Sequence, residues 1–190
     1  KSNKMNSFHT ELIEAYTAVC RSYQLKGPFV LQEFTDALSV MNFLAAKNGT
    51  AAHSASQVFS AFIQRYSPVF TLDPMKRMRG IIHLRGIVKV NRSYRSEKEK
   101  ERAYRQICNH WFNVNDVQGE GGILCLHDGL SVTLPKGFLL LCDLFRCCPR
   151  DVLLYFIEEV VLEMEQTDFN GPSLQFLLHC VFQLYDVKNN

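Results

Sequence analysis

Between positions 92 and 111 the chain reads RSYRSEKEKERAYRQICNHW, a run whose basic side chains suit the holding of phosphate. Lys and Arg neutralise phosphate oxygens, and Arg does so with a planar fork of donors. On a helix turning about 100° per residue, Arg95, Lys98, Arg102 and Arg105 fall within about 80° of one another. Tyr104, Ile107, Cys108 and Trp111 gather on the opposite side. Upstream lie Lys76, Arg77, Arg79, Arg85, Lys89 and Arg92, so that 76–105 holds eleven Lys or Arg against three Glu, a balance of +8. Residues 1–75 carry +1 and 106–190 carry −7, so the net charge of +2 hides a strong polarity. These ten named positions are the candidates for binding nucleic acid, or an acidic protein partner. Two features weigh against nucleic acid. Glu99 and Glu101 flank the stripe, and Tyr94 is its sole aromatic able to stack on a base. A solvated helix face would carry the same residue types.

Other chemistry is weakly signalled. Cys108 with His110 and Cys125 with His127 are soft ligand pairs, but a one-residue gap does not match the usual zinc spacings. Cys142, Cys147 and Cys148 invite a metal or redox assignment, yet their neighbours Leu141, Leu144 and Phe145 make packing the expected role. Glu158, Glu159, Glu163 and Glu165 fall off the apolar stripe of one helix and read as a solvated face. The glycines of VQGEGGI lack the Lys-Ser/Thr and helix start of a phosphate loop. No catalytic constellation emerges, and we expect neither an enzyme nor a resident metal or cofactor.

Composition narrows the setting. Hydrophobic residues make up 47% of 190, enough for one sizeable core. Seven cysteines, an odd number mostly in apolar surroundings, suggest buried free thiols in a reducing compartment, nucleus or cytoplasm, rather than a disulfide framework. The triplets at Asn48 and Asn91 that match glycosylation acceptors are then expected to be unused. No apolar run approaches the ~20 residues needed to cross a bilayer, and no membrane role is inferred. The opening KSNKMNSFHTE lacks both an initiator Met and an apolar signal core, which suits a single helical domain, 1–190, excised from a longer protein.

The elements that must position these residues are mostly helices. Apolar residues recur at three- and four-residue steps over 8–24, 28–47 and 54–66, with Gly27 as stop and Pro28 as start between the first two. The segment MKRMRGIIHLRGIVKVN fits neither period, and is expected to be a short helical turn followed by irregular or extended chain. Ser96-Glu97-Lys98-Glu99 forms a capping box that opens a helix to about 112. GGILCLHDGLSVTLP predicts a β-hairpin near 122–134 about an Asp128-Gly129 turn, with Leu124, Leu126, Val132 and Leu134 on one face. Helices follow over 136–147, from Pro149, and from Pro172.

The expected fold is mainly α: six or seven helices in antiparallel hairpins, a bundle or a degenerate α-solenoid, with one small hairpin. The last helix is apolar over more than half its circumference. Leu174, Leu178, Val181, Phe182 and Tyr185 are therefore expected to seal a partner interface, unless neighbouring helices bury them. The expected function is a protein–protein interaction or scaffolding module, its partner another protein or a second copy, with no small-molecule substrate. The alternative is RNA or DNA binding through 76–105.

Overall fold

Helix α1 (Ser2–Ser22) begins the computed structural model, which describes residues 2–38, 42, 48–66, 122–167 and 169–189. Its buried residues Ile13, Tyr16 and Cys20 follow the expected stripe. The stop comes earlier than Gly27. Gln24 takes a left-handed conformation (φ 59°), and the Leu25 N–H donates to the Cys20 carbonyl at 2.9 Å while that of Gln24 donates to Arg21. This is the Schellman closure, usually built on Gly. Gly27 instead opens α2 (Gly27–Ala37), where Tyr16 explains the missing side chain. The Tyr16 hydroxyl donates to the Gly27 carbonyl at 3.1 Å, and a Cβ on Gly27 would press against the Tyr16 ring.

Helix α2 ends ten residues before the expected position. Leu38 leaves helical geometry (φ −91°, ψ 43°), and the Asn42 side-chain amide takes the Asp36 carbonyl at 3.0 Å. A local side-chain donor thus satisfies a carbonyl that a continuing helix would have used. Helix α3 (Ala51–Tyr66) starts three residues before the expected Ser54, because Thr50 serves as its cap: the His53 N–H reaches Thr50 Oγ1 at 3.2 Å.

The hairpin forms as expected. Strands β1 (Ile123–His127) and β2 (Leu130–Thr133) pair antiparallel, with Leu124 opposite Val132 and a register break between Cys125 and His127. Gly129 supplies the positive φ of 77° that the turn needs. Leu126, Leu130, Val132 and Leu134 are buried. The outer edge of β2 meets the Gln32 side chain of α2. Gln32 Nε2 donates to the Thr133 carbonyl at 3.1 Å, and the Thr133 N–H donates to Gln32 Oε1 at 3.0 Å. One side-chain amide so imitates a neighbouring strand and covers an open edge.

Three helices complete the chain: α4 (Lys136–Phe145), α5 (Pro149–Glu165) and α6 (Pro172–Asn189). Pro149 sits in the first turn of α5, where its missing N–H costs nothing. The most extensive helix contacts join α3 to α6 and α1 to α5, elements far apart in sequence. A solenoid unit touches only its neighbours, so this is the bundle alternative. Its centre is aromatic. Phe34 of α2 stacks on Phe156 of α5 with centroids 4.0 Å apart, and Phe176 of α6 meets both edge-on at 5.5 and 5.7 Å. Tyr16 adds a further edge contact at 6.4 Å. Among the described residues, no helix is long and apolar enough to cross a membrane.

Candidate protein-interaction surface

The inner face of α6 is formed by Leu174, Leu177 and Cys180, all buried, with Phe176 reaching the aromatic centre. Val181 and Leu184 are half-buried against the same core. The outer face is different. Leu178, Phe182 and Tyr185 follow one another at steps of four and three residues and so share a stripe. Leu178 is half-buried, whereas Phe182 is 64% exposed and Tyr185 56% exposed. The five residues expected at an interface are therefore divided. Leu174 lies in the core of the chain and Val181 packs against it, while Leu178, Phe182 and Tyr185 form an outward apolar ridge.

The helix is held at its N-terminus by an acid from the preceding helix. Glu163 of α5 accepts the N–H of Ser173 at 3.2 Å and that of Leu174 at 2.7 Å. A helix start leaves such donors orphaned, and its dipole favours a carboxylate there. A Cβ on Gly171 would land on that carboxylate, so the bare backbone makes room for it. Glu163 was expected on a solvated face with Glu158, Glu159 and Glu165. The correction is that it is buried, because it serves α6 rather than its own helix. Burial pushes its carboxyl above the ordinary range, against the pull of the Leu174 and Ser173 N–H groups.

A second aromatic group, exposed at Tyr66 and buried at Tyr155 and Phe62, joins α3 to α5. Tyr66 packs edge-on against Tyr155, 5.9 Å between centroids, with Phe62 beneath both at 5.2 and 5.6 Å. The Arg65 guanidinium lies 5.4 Å from the Tyr66 ring and 5.9 Å from that of Tyr155, and makes a 3.8 Å ion pair with Glu159. Burial, with Glu159 adding to it, pushes the Tyr155 hydroxyl up to about 12, so it is neutral at ordinary pH. Tyr and Arg together are the residue types most enriched where proteins meet. Sequence periodicity ended the inward stripe of α3 at Ile63, although Tyr66 continues it four residues after Phe62. The adjacent Arg-Tyr at a helix end, one turn beyond Phe62, was the available signal.

The ten basic positions Lys76, Arg77, Arg79, Arg85, Lys89, Arg92, Arg95, Lys98, Arg102 and Arg105 lie outside the described residues, as do Cys108, His110 and the expected helix ending near 112. Of the other candidate ligand pair, Cys125 is exposed on β1 and its thiol donates to the His127 carbonyl at 3.4 Å. Among the described residues no three His, Cys, Asp or Glu side chains are placed to hold a metal ion. Cys20, Cys142 and Cys180 are buried, Cys147 is half-buried, and Cys125 and Cys148 are exposed, so the thiols are less uniformly buried than their apolar neighbours suggested.

No protein-family model, no curated protein and no solved structure matches the chain.

Proposed function

We propose that this chain is a protein–protein interaction module of a reducing intracellular compartment, and that the outer ridge of α6 is its docking face. The observation that supports this reading is the exposure of Phe182 and Tyr185 on a helix whose opposite face is anchored in the core. A helix so anchored presents its ridge rigidly, and an apolar stripe at helical spacing fits the groove or apolar face of a partner helix. Binding there covers two large aromatic side chains, the kind of contact that dominates interface energies.

Phe182→Glu with Tyr185→Glu places two charges on the ridge and none in the core. Sedimentation and affinity capture from nuclease-treated extract, each compared with wild type, read the result. The expected outcome is loss of self-association or of the captured proteins, with an unchanged helical dichroism spectrum. Equal behaviour of wild type and double variant removes α6 as the docking face.

A second reading, nucleic-acid binding, is favoured by the +8 balance of 76–105. Its signature is a steep salt dependence, because neutralised phosphates release counterions. Four contacts from Arg95, Lys98, Arg102 and Arg105 give a log–log slope of about −3 to −4. Changing all four to Glu should abolish a gel shift seen at low salt. Equal binding by wild type and quadruple variant, or none by wild type, leaves the stripe as a solvated face.

A further inference from the structure

At the end of α4, the chain turns through Arg146 in a left-handed conformation (φ 52°, ψ 44°). The Arg146 N–H donates to the Asp143 carbonyl at 3.0 Å, and the Cys147 N–H reaches back to the Cys142 carbonyl, also at 3.0 Å. These two bonds make a Schellman closure, whose geometry brings together the side chains three positions inside the helix end and two beyond it. Two apolar side chains frequently meet there, and Cys20 and Leu25, which hold these positions at the end of α1, are both buried in the core. Here both positions are cysteine. The Cys147 thiol donates to the Cys142 carbonyl oxygen at 3.6 Å, which sets its sulfur over the residue that carries the other thiol.

The two sulfurs differ in access. Cys142 is 2% exposed, Cys147 is half-buried, and Cys148 beside it is exposed at the cap of α5. Burial pushes the Cys142 thiol well up, and the neighbouring Cys147 adds to that. A reagent arriving from solvent therefore meets Cys147 before Cys142.

We propose that Cys142 and Cys147 form a reversible dithiol–disulfide pair, oxidised by a low-molecular-weight disulfide of the glutathione type. The Cys147 thiol releases its proton to solvent, and the thiolate attacks one sulfur of RS–SR. The RS–SR bond breaks, one RS⁻ leaves, and Cys147 carries a mixed disulfide. The Cys142 thiol then loses its proton and attacks the Cys147 sulfur. A Cys142–Cys147 bond forms as the second RS⁻ leaves, and both thiolates take up protons. The protein loses two electrons and two hydrogens, and RS–SR becomes two RSH. The ring closed spans positions 142–147, a turn the backbone already closes through the bond from the Cys147 N–H to the Cys142 carbonyl. In a reducing compartment such pairs are transient and report the redox state, which fits a switch rather than a staple.

Peptide mapping of wild type and of Cys148→Ser tests this, since Arg146 separates Cys142 from Cys147 and the variant removes the second cysteine of the peptide 147–150; loss of the linked product in Cys148→Ser overturns it. After equilibration of the folded, reduced protein in oxidised-glutathione buffer, unreacted thiols are blocked and the chain is cut with trypsin. The expected product joins the peptide 137–146 to the peptide 147–150 with Cys148 blocked, and is two hydrogens lighter than the sum of those two peptides. Excess reduced glutathione should abolish it. Cys148→Ser should form the same link, and Cys142→Ser should stop at glutathione carried on Cys147. A disulfide within 147–150 alone, glutathione accumulating on Cys148 with Cys142 and Cys147 free, or no linked peptide in the most oxidising buffer overturns the proposal.

Discussion

Glu163 shows how one side chain can belong to a helix other than its own. It is the carboxylate cap of α6, and its burial raises its pKa from the ordinary 4.5. The unfolded chain releases this proton near 4.5, whereas the folded protein holds it to a higher pH. Between those two values the folded state binds more protons, so stability falls as pH rises through the window. Below it, the contribution of this group is fully present. Glu163→Gln removes the titration while keeping one acceptor. Melting temperature measured between about pH 4 and 7 should therefore fall in wild type relative to Glu163→Gln; a constant difference across that range would contradict the assignment. Sequence periodicity grouped Glu163 with the solvated acids of α5, although it follows Val160 by three residues and Phe156 by seven and is buried. Its partner lies in α6, after the loop containing Gly171, and no helical pattern encodes that meeting. The left-handed residues Gln24, Arg146 and Thr167 escaped notice for a related reason. A non-glycine residue in that conformation costs about 1–2 kcal/mol, which packing around the helix ends must offset.

The hairpin and α2 depend on one another. β2 presents Leu130 and Val132 to the core, and its outer edge is closed by the two hydrogen bonds from Gln32. Gln32→Ala deletes both. Each is worth about 0.5–1.5 kcal/mol, toward the lower end for a partly exposed pair. The expected result is a loss of roughly 1–2 kcal/mol and faster exchange of the Thr133 amide hydrogen, measured by NMR, while the amides of α6 keep their protection. Unchanged exchange at Thr133 would show that the edge is not held by Gln32. The hairpin was legible beforehand because Asp128-Gly129 and the alternation of Leu124, Leu126, Val132 and Leu134 are local signals. The cover on its edge was not, since Gln32 and Thr133 are 101 positions apart.

The molecule as a whole is organised about the Phe34–Phe156–Phe176 contact, where α2, α5 and α6 converge. Phe34→Ala should cost about 3–5 kcal/mol, from lost burial and the cavity left behind. Against a total stability of about 5–15 kcal/mol for a domain, that is a large share, and a denaturant midpoint would register it directly. A cost below about 1 kcal/mol would mean that the centre lies elsewhere. The same organisation explains the two faces of α6. Contacts with α3 and α5 bury Leu174 and Leu177, and they leave Phe182 and Tyr185 outside.

Helical character, the hairpin with its turn, and the proline starts of α5 and α6 follow from the sequence, because each rests on residues within a few positions of one another. Three- and four-residue steps, a two-residue alternation, and Pro, Gly or Asp-Gly punctuation act through the local backbone. The polarity of charge, with its basic 76–105, is equally a property of the chain as written. Which apolar residues of α6 lie inside, which acid caps it, where α2 ends, and that Cys142 meets Cys147 were settled only on folding. Each of these depends on a specific packing partner, a side-chain donor, or a left-handed residue without glycine. A helix apolar over half its circumference offers several faces to a core, and the one it buries is chosen by the helices already there.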